Sequence, residues 1–580
     1  MAHAQVTAEP RVAVPPCPRP ARAGVGAVAL GALAPASALA LDPRGWHPFG
    51  PVKWLAVVLL GGLGAALVAG PGCHRLPPPL RRASALLVAW LAVAALVGED
   101  PWFAWVGTPE RRFGWVTWAL CLALLHAGAA LIRPRPVVAG VLVAGVGLGG
   151  LATVEALGWE PEVFAVADRL SASLGSPAYL GALAVLLLPA AAGAALDREL
   201  PVRLRIAGRL ATPLLAVALV GSGARAAWLG LAVASATAAG CHRDRLRADP
   251  TRTAAGTALA LAALALVALL TPVGPRLASL LDDAAPGGRG RLDEWRVAAA
   301  TASDHLLTGV GPEGYRIAFH EGVDPAYERE HGRDEQPDRA HSAPLDVLLV
   351  GGVPALALWA AALLLAGRHV VAAVRMGPSW RAGIALGLVA HAAGQLALFP
   401  LAETEPLAWL LAGLVVGHAP SSTDPARPRP VPRWLRALGV AATGVLAAGA
   451  LAGVVADRQA ARAAAALDRG DGHAAAVAAE QALDLRPDWP RLALLGATAA
   501  VADDQGIHEA LRHVRAGLGW SPGDPILRRA EVALLVDRAL ATGAPVHRAE
   551  ARAAAEALLA ADPLDSRTRA QLARLEGTER

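Results

Sequence analysis

Long apolar runs alternate with short polar connectors through residues 1–456, and after that the alternation stops. Thirteen apolar segments stand out, at about 23–41, 53–70, 83–98, 115–132, 136–157, 177–196, 204–221, 225–240, 253–272, 343–367, 382–400, 404–418 and 435–456. Most have the roughly 17–25 residues that a helix needs to cross about 30 Å of hydrocarbon. Several are rich in Gly and Ala, which lets helices approach closely in lipid. The pattern predicts an all-α protein: a polytopic transmembrane helical bundle of about 12–13 spans over residues 1–456, then a soluble α-helical domain over 457–580. The first segment ends in Ala36-Ser37-Ala38-Leu39-Ala40, which also suits a signal-peptide cleavage site. Cleavage there leaves twelve spans and changes no other orientation.

The connectors differ in charge. Arg11, Arg19 and Arg22 precede the first span; Arg75, Arg81 and Arg82 fill the second loop, and Arg133 and Arg135 the fourth. The sixth has Arg198, Arg203 and Arg205; the eighth Arg243, Arg245, Arg247 and Arg252; the tenth Arg368, Arg375 and Arg381; the twelfth Arg427, Arg429 and Arg433. Odd-numbered loops are poorer in Arg and richer in acid, as with Glu155, Glu160, Glu162 and Asp168, or Glu403 and Glu405. Basic loops stay cytoplasmic. The ninth loop, residues 273–342, and the region after span thirteen are therefore expected outside the cytoplasm.

Composition narrows the function classes. The chain has 580 residues, is 55% hydrophobic and has a mean hydropathy of +0.43, which excludes an ordinary soluble protein. The net charge of +5 is carried by arginine, since Lys53 is the only lysine. No basic groove interleaved with aromatics is visible, so no nucleic-acid partner is expected. Cys17, Cys73, Cys121 and Cys241 are scattered, with no CxxC pair and no His at ligand spacing, so neither a disulfide framework nor a metal site is expected.

The candidate chemistry lies in the ninth loop and the short turn before span eight. Arg225, in Gly221-Ser222-Gly223-Ala224-Arg225, sits between two spans, where a charge must snorkel, pair or serve a ligand. A planar guanidinium there can grip phosphate oxygens in bidentate fashion. Arg291 and Trp295 are four residues apart in a helical segment and share a face. Next comes His305-Leu306-Leu307-Thr308-Gly309-Val310-Gly311-Pro312-Glu313-Gly314-Tyr315, whose glycines allow a left-handed turn. With no strand before it, this is no nucleotide fingerprint; a turn returning the loop to the bundle is expected. His341 stands before span ten beside Arg339. A neutral imidazole at that position can take a proton from an attacking hydroxyl.

Taken in order, a short Arg-bearing turn, Arg-x-x-x-Trp, His-x-x-x-Gly-x-Gly-x-x-x-Tyr and Ala-His before the next span resemble the O-antigen ligase family of the wider ligase/polymerase (Wzy-like) superfamily. The resemblance is most specific at 221–231 and 288–358, where Gly351-Gly352-Val353-Pro354 fits the Gly-rich turn after the histidine. It implies transfer of a glycan from undecaprenyl diphosphate to an acceptor hydroxyl, with no cofactor, metal or nucleotide sugar, in a bacterial cytoplasmic (inner) membrane. It implies His341, Arg225 and Arg291 as catalytic, with Arg225, Arg291, Trp295, Arg339 and Tyr315 binding substrate. Two departures stand out: Ala340-His341-Ser342 where the family often has Ala-His-Asn, and His305-Leu306 where it has His-Pro.

Residues 457–580 are Ala-rich and punctuated by Pro487, Pro522 and Pro563. The first two are spaced close to the tetratricopeptide period of about 34. Three irregular helix–turn–helix repeats are expected, offering a surface for a protein partner. The alternatives are a polysaccharide polymerase or a protein O-oligosaccharyltransferase of the same superfamily. A different class, a lipid-linked glycan transporter, would need charges deep in the spans, where Arg209 and His391 are the candidates. A non-catalytic membrane scaffold is the third.

Overall fold

The computed structural model describes residues 21–68, 76–159, 161–164, 169–248, 251, 290–333, 336–418, 433–503 and 505–577, and they contain helices and no strand. Twelve of the thirteen predicted spans coincide with a helix; the ninth, 253–272, lies outside the described residues, as do the first seventeen residues of the polar loop, 273–289. Among the described residues, seven helices are long and apolar enough to cross a bilayer: Pro51–Val68, Pro78–Leu96, Arg135–Ala156, Pro177–Leu196, Val202–Ser222, Ala343–Met376 and Trp434–Asp468. Shorter apolar helices, among them Gly24–Leu39, Trp115–Ala130 and Glu405–Gly417, pack between them. The chain is a polytopic helical membrane protein.

Small residues set the packing. A Cβ on Gly140 would lie 1.7 Å from the Gly31 carbonyl oxygen, and one on Gly128 would lie 2.1 Å from that of Leu410. At these two contacts the helices touch backbone to backbone and leave no room for a Cβ, the close limit of small-residue packing in lipid.

Three features of the helices are not visible in the apolar pattern alone. The segment 343–367 reads as one continuous span, but the helix is broken at Gly351 and Gly352, the latter at φ +66°. Pro354 has no N–H to give the preceding turn, and the groups freed by the break find partners elsewhere. Val353 N donates to Leu306 O at 2.8 Å, Val310 N to Leu349 O at 2.7 Å, and Trp90 Nε1 to Gly351 O at 2.7 Å. The unwound step is thus the dock for the glycine turn 305–315. Next, the span expected over 382–400 ends its helix at Gly394; a short 3₁₀ turn, Gln395–Ala397, leads into extended Leu398 and then Phe399. Finally, no linker marks residue 456, because a single 36-residue helix, Arg433–Asp468, runs through it.

Beyond that rod the chain forms antiparallel helices: Gly472–Leu485, Pro490–Ala502, Gly506–Trp520, Pro525–Thr542, Pro545–Ala561 and Ser566–Gly577. Asp471 and Asp524 cap the helices that follow them, accepting from Ala474 N and from Ile526 N and Leu527 N.

Candidate active site

The helix Arg291–Asp304 starts directly after Gly290, with Asp293 and Glu294 in its first turn, where carboxylates suit the helix dipole. Its buried residues are Glu294, Val297, Ala298, Thr301 and Ala302, a stripe at the i, i+3, i+4, i+7 spacing of one helical face. The apolar members pack with Tyr315, Phe319 and Tyr327 beneath the loop. Glu294 lies at the end of that stripe, so its carboxylate is turned inward. Its Oε2 is 3.9 Å from Arg291 Nη1 and 3.6 Å from His341 Nδ1. Two residues fifty apart in sequence therefore meet across one acidic group.

His341 is held in a left-handed backbone conformation at φ +53°. Such a conformation is uncommon for a side-chain-bearing residue and is stored at sites that over-determine it. Asp346 supplies the constraint by accepting from Ala340 N at 2.9 Å. Arg112 (φ +53°) and Glu313 (φ +62°) share this geometry, so three of the four side-chain-bearing residues with positive φ among the described residues lie in this region. The His341 ring stands edge-on to Phe399, with centroids 5.0 Å apart. Burial, and then the Arg291 charge, push its imidazole down to about 4, so it is neutral at neutral pH.

Arg111 approaches Phe399 as well, its guanidinium 4.9 Å from the ring centroid. It forks onto Asp338, Nε to Oδ2 at 2.5 Å and Nη2 to Oδ1 at 3.0 Å, and its Nη1 donates to Tyr179 Oη at 2.8 Å. Burial would raise the Asp338 carboxyl, but the adjacent guanidinium brings it down to about 2. Arg111 and Asp338 both act electrostatically on His341. None of Arg111, Asp338 or Phe399 was anticipated from sequence. One signal was available: Arg111 and Arg112 are adjacent arginines in the third loop, on the side where connectors are poor in Arg.

The remaining expected residues take different places. Arg339 is buried, its Nη2 2.8 Å from Glu313 Oε1. That carboxylate also accepts from Phe113 N at 2.9 Å and Thr108 Oγ1 at 3.2 Å, so it ties the glycine turn to the loop carrying Arg111. Tyr315 is buried in the loop core, edge-on to Phe319 at 5.8 Å. Both stand behind the cluster and support it. Trp295 is half-buried on the helix of Arg291. Arg225 is exposed and opens the helix Arg225–Cys241, just after left-handed Gly223 ends the preceding one. Its helix packs on Ser379–Gly394, whose extension carries Phe399. Arg225 is thus joined to the cluster through that element, while Arg291 and His341 both approach the Glu294 carboxylate. His391, expected within a span, is 3.0 Å from Glu405, so it has a partner.

What gathers here is a neutral imidazole, an exposed Arg291 guanidinium on one side, and the Arg111–Asp338 pair beneath. No curated protein matches the chain. Residues 210–360 match the family model described as Wzy_C, O-Antigen ligase, a stretch that contains Arg225, Arg291, His341 and the Gly351–Gly352 break. That segment, residues 210–360, is similar to the O-antigen ligase family, which supports a ligase-type activity in cell-surface polysaccharide assembly.

Proposed function

We propose that the protein transfers a glycan from a polyprenyl (undecaprenyl) diphosphate to an acceptor hydroxyl at the outer face of the inner membrane. The observation that carries this reading is the approach of Arg291 and His341, fifty residues apart in the polar loop, to the Glu294 carboxylate. The neutral His341 imidazole takes the acceptor's proton as the acceptor oxygen bonds to the anomeric carbon. The bond from that carbon to the diphosphate oxygen breaks, and the diphosphate leaves with the electron pair. Negative charge grows on the leaving group, and Arg291 and Arg225, both exposed at this end of the bundle, neutralise it. A single displacement inverts the anomeric carbon. The lipid diphosphate is already a good leaving group, so the scheme requires no divalent ion.

In this reading Arg339 and Tyr315 position the loop, Trp295 borders the sugar path, and the helices after Asp468 form an extracytoplasmic tetratricopeptide-like region. The test replaces Arg225, Arg291 and His341 singly with Ala and follows lipid-linked intermediates by mass spectrometry. Removal of a general base typically costs about 10²–10⁴-fold, so His341→Ala is expected to lose transfer while membrane levels stay normal. Undiminished product from Arg291→Ala or His341→Ala would sink the scheme, and a retained anomeric configuration would reject single displacement. Accumulated full-length chains on the lipid mark a ligase; single repeat units mark a polymerase.

A further inference from the structure

The C-terminal helices grip the candidate site from both sides. Trp489, fully buried, donates from Nε1 to Glu110 Oε1 at 2.7 Å, and Glu110 directly precedes Arg111. Arg529 donates from Nη1 to Gln336 Oε1 at 3.2 Å while Asp565 anchors its Nε at 2.7 Å. Gln336 in turn donates to Arg316 O at 2.6 Å. Only Pro337 separates Gln336 from Asp338, and the proline ring fixes its own φ. Further links hold the same two surfaces together. Arg316 Nη1 pairs with Asp524 Oδ2 at 2.5 Å, and Arg333 Nη2 reaches Asp562 Oδ1 at 2.9 Å.

Buried ion pairs are weak evidence for stability, because desolvation offsets much of the attraction; their best-attested use is to fix register. The placement here fits that use. The link from Trp489 ends on Glu110, next to Arg111, and that from Arg529 on Gln336, two residues before Asp338; Arg111 in turn lies against Phe399, which touches His341. By contrast, Arg512 with Glu480, and Arg515 with Glu531 and Glu550, join C-terminal helices to one another.

We infer that Trp489 and Arg529 are positioning residues of the transferase site: the C-terminal helices clamp Glu110 and Gln336, and so fix the Arg111–Asp338 pair that orients His341. The inference rests on the function proposed above. Its role is to set geometry at the reacting centre, where a displacement of about 1 Å can cost two orders of magnitude in rate.

The experiment uses the full chain in lipid nanodiscs with a polyprenyl-diphosphate glycan donor. Trp489→Phe removes one donor and keeps a ring; Arg529→Ala removes the other; Arg512→Ala and Arg515→Ala are controls. The double variant Trp489→Phe/Arg529→Ala is expected to lose about tenfold or more in kcat, with donor KM changed less than about twofold. Hydrogen exchange at 108–113 and 338–341 should quicken, while exchange in the Gly472–Leu485 helix should not. Arg529→Lys should recover much of the rate, and both controls should match wild type. Wild-type kcat from the double variant overturns the inference, and so does a rate loss without faster exchange at 108–113. Arg291→Ala is run alongside: if it transfers normally, the site reading fails; if it is dead while the double variant is normal, only the clamp fails.

Discussion

The Nδ1 atom of His341 lies 3.6 Å from Oε2 of Glu294, a carboxylate on the inward face of the helix that Arg291 begins. The separation is beyond a hydrogen bond, so Glu294 acts on the ring by its field and by bordering the space the ring occupies. The same oxygen is 3.9 Å from Arg291. Glu294→Gln keeps the shape and removes the charge that restrains the guanidinium. We expect kcat for glycan transfer to drop about tenfold, with little change in membrane yield. Single-turnover transfer measures this, and an unchanged rate would show that Arg291 and His341 are placed without it.

The pH profile follows from the burial of His341. Its imidazole is lowered to about 4, first by burial and then by Arg291. The neutral form is the one that accepts a proton, so transfer should stay level as pH falls from 7 to about 5 and decline only near 4. An unperturbed histidine would already be half protonated near 6.5. Arg291→Gln removes a cation that disfavours the imidazolium, so its residual activity should show the acid limb moved upward. Stability has a matching sign: the unfolded chain binds more protons between about pH 4 and 6.5, so stability contributed by His341 rises with pH across that window. A limb for the parent protein at 6.5 would contradict the buried placement.

How far the sequence reaches is visible in particular residues. The spans and the helix of Arg291 were legible because apolar length and 3.6-residue periodicity are local properties. Arg111 and Phe399 were not, because they are placed by contacts across long stretches of chain: Arg111 reaches Asp338, 227 residues away. Phe399 sat inside an apolar run that reads as membrane helix, yet Gln395–Ala397 tighten and Leu398 extends, turning the ring toward His341. The Gly351–Gly352 break was hidden from the hydrophobic pattern, since its apolar neighbours continue the run, and only the resemblance, which marks Gly351-Gly352-Val353-Pro354 as a Gly-rich turn, pointed to it.

That break makes a sharp prediction at Gly352. With φ at +66°, an added Cβ would lie 2.3 Å from Leu307 O and 2.4 Å from Leu306 O, both backbone atoms that cannot step aside. Left-handed strain costs of order 1–3 kcal/mol, and displacing the 305–315 turn adds to it. Gly352→Ala should lower the thermal midpoint by several degrees and depress transfer together with it. Gly367→Ala, in open space on the same helix, should do neither. Equal midpoints for the two variants, read by thermal-shift fluorescence, would show that the break is not under constraint.

Glu313 and Arg339 allow the supporting layer to be tested apart from the chemistry. Glu313 is almost fully buried and satisfies Arg339, Phe113 N and Thr108 at once. Removing one member of a buried pair leaves the other charge without compensation, at about 3–5 kcal/mol. Glu313→Gln and Arg339→Met should therefore each destabilise strongly when made alone. Made together they remove both charges, and the double variant should be more stable than the sum of the singles requires, a coupling that a double-mutant cycle reads directly. The cycle also separates support from catalysis: if Arg339 served only to hold the turn, the double variant would regain transfer in step with its folded fraction. Full stability with no transfer would instead place Arg339 among the groups that touch the substrate.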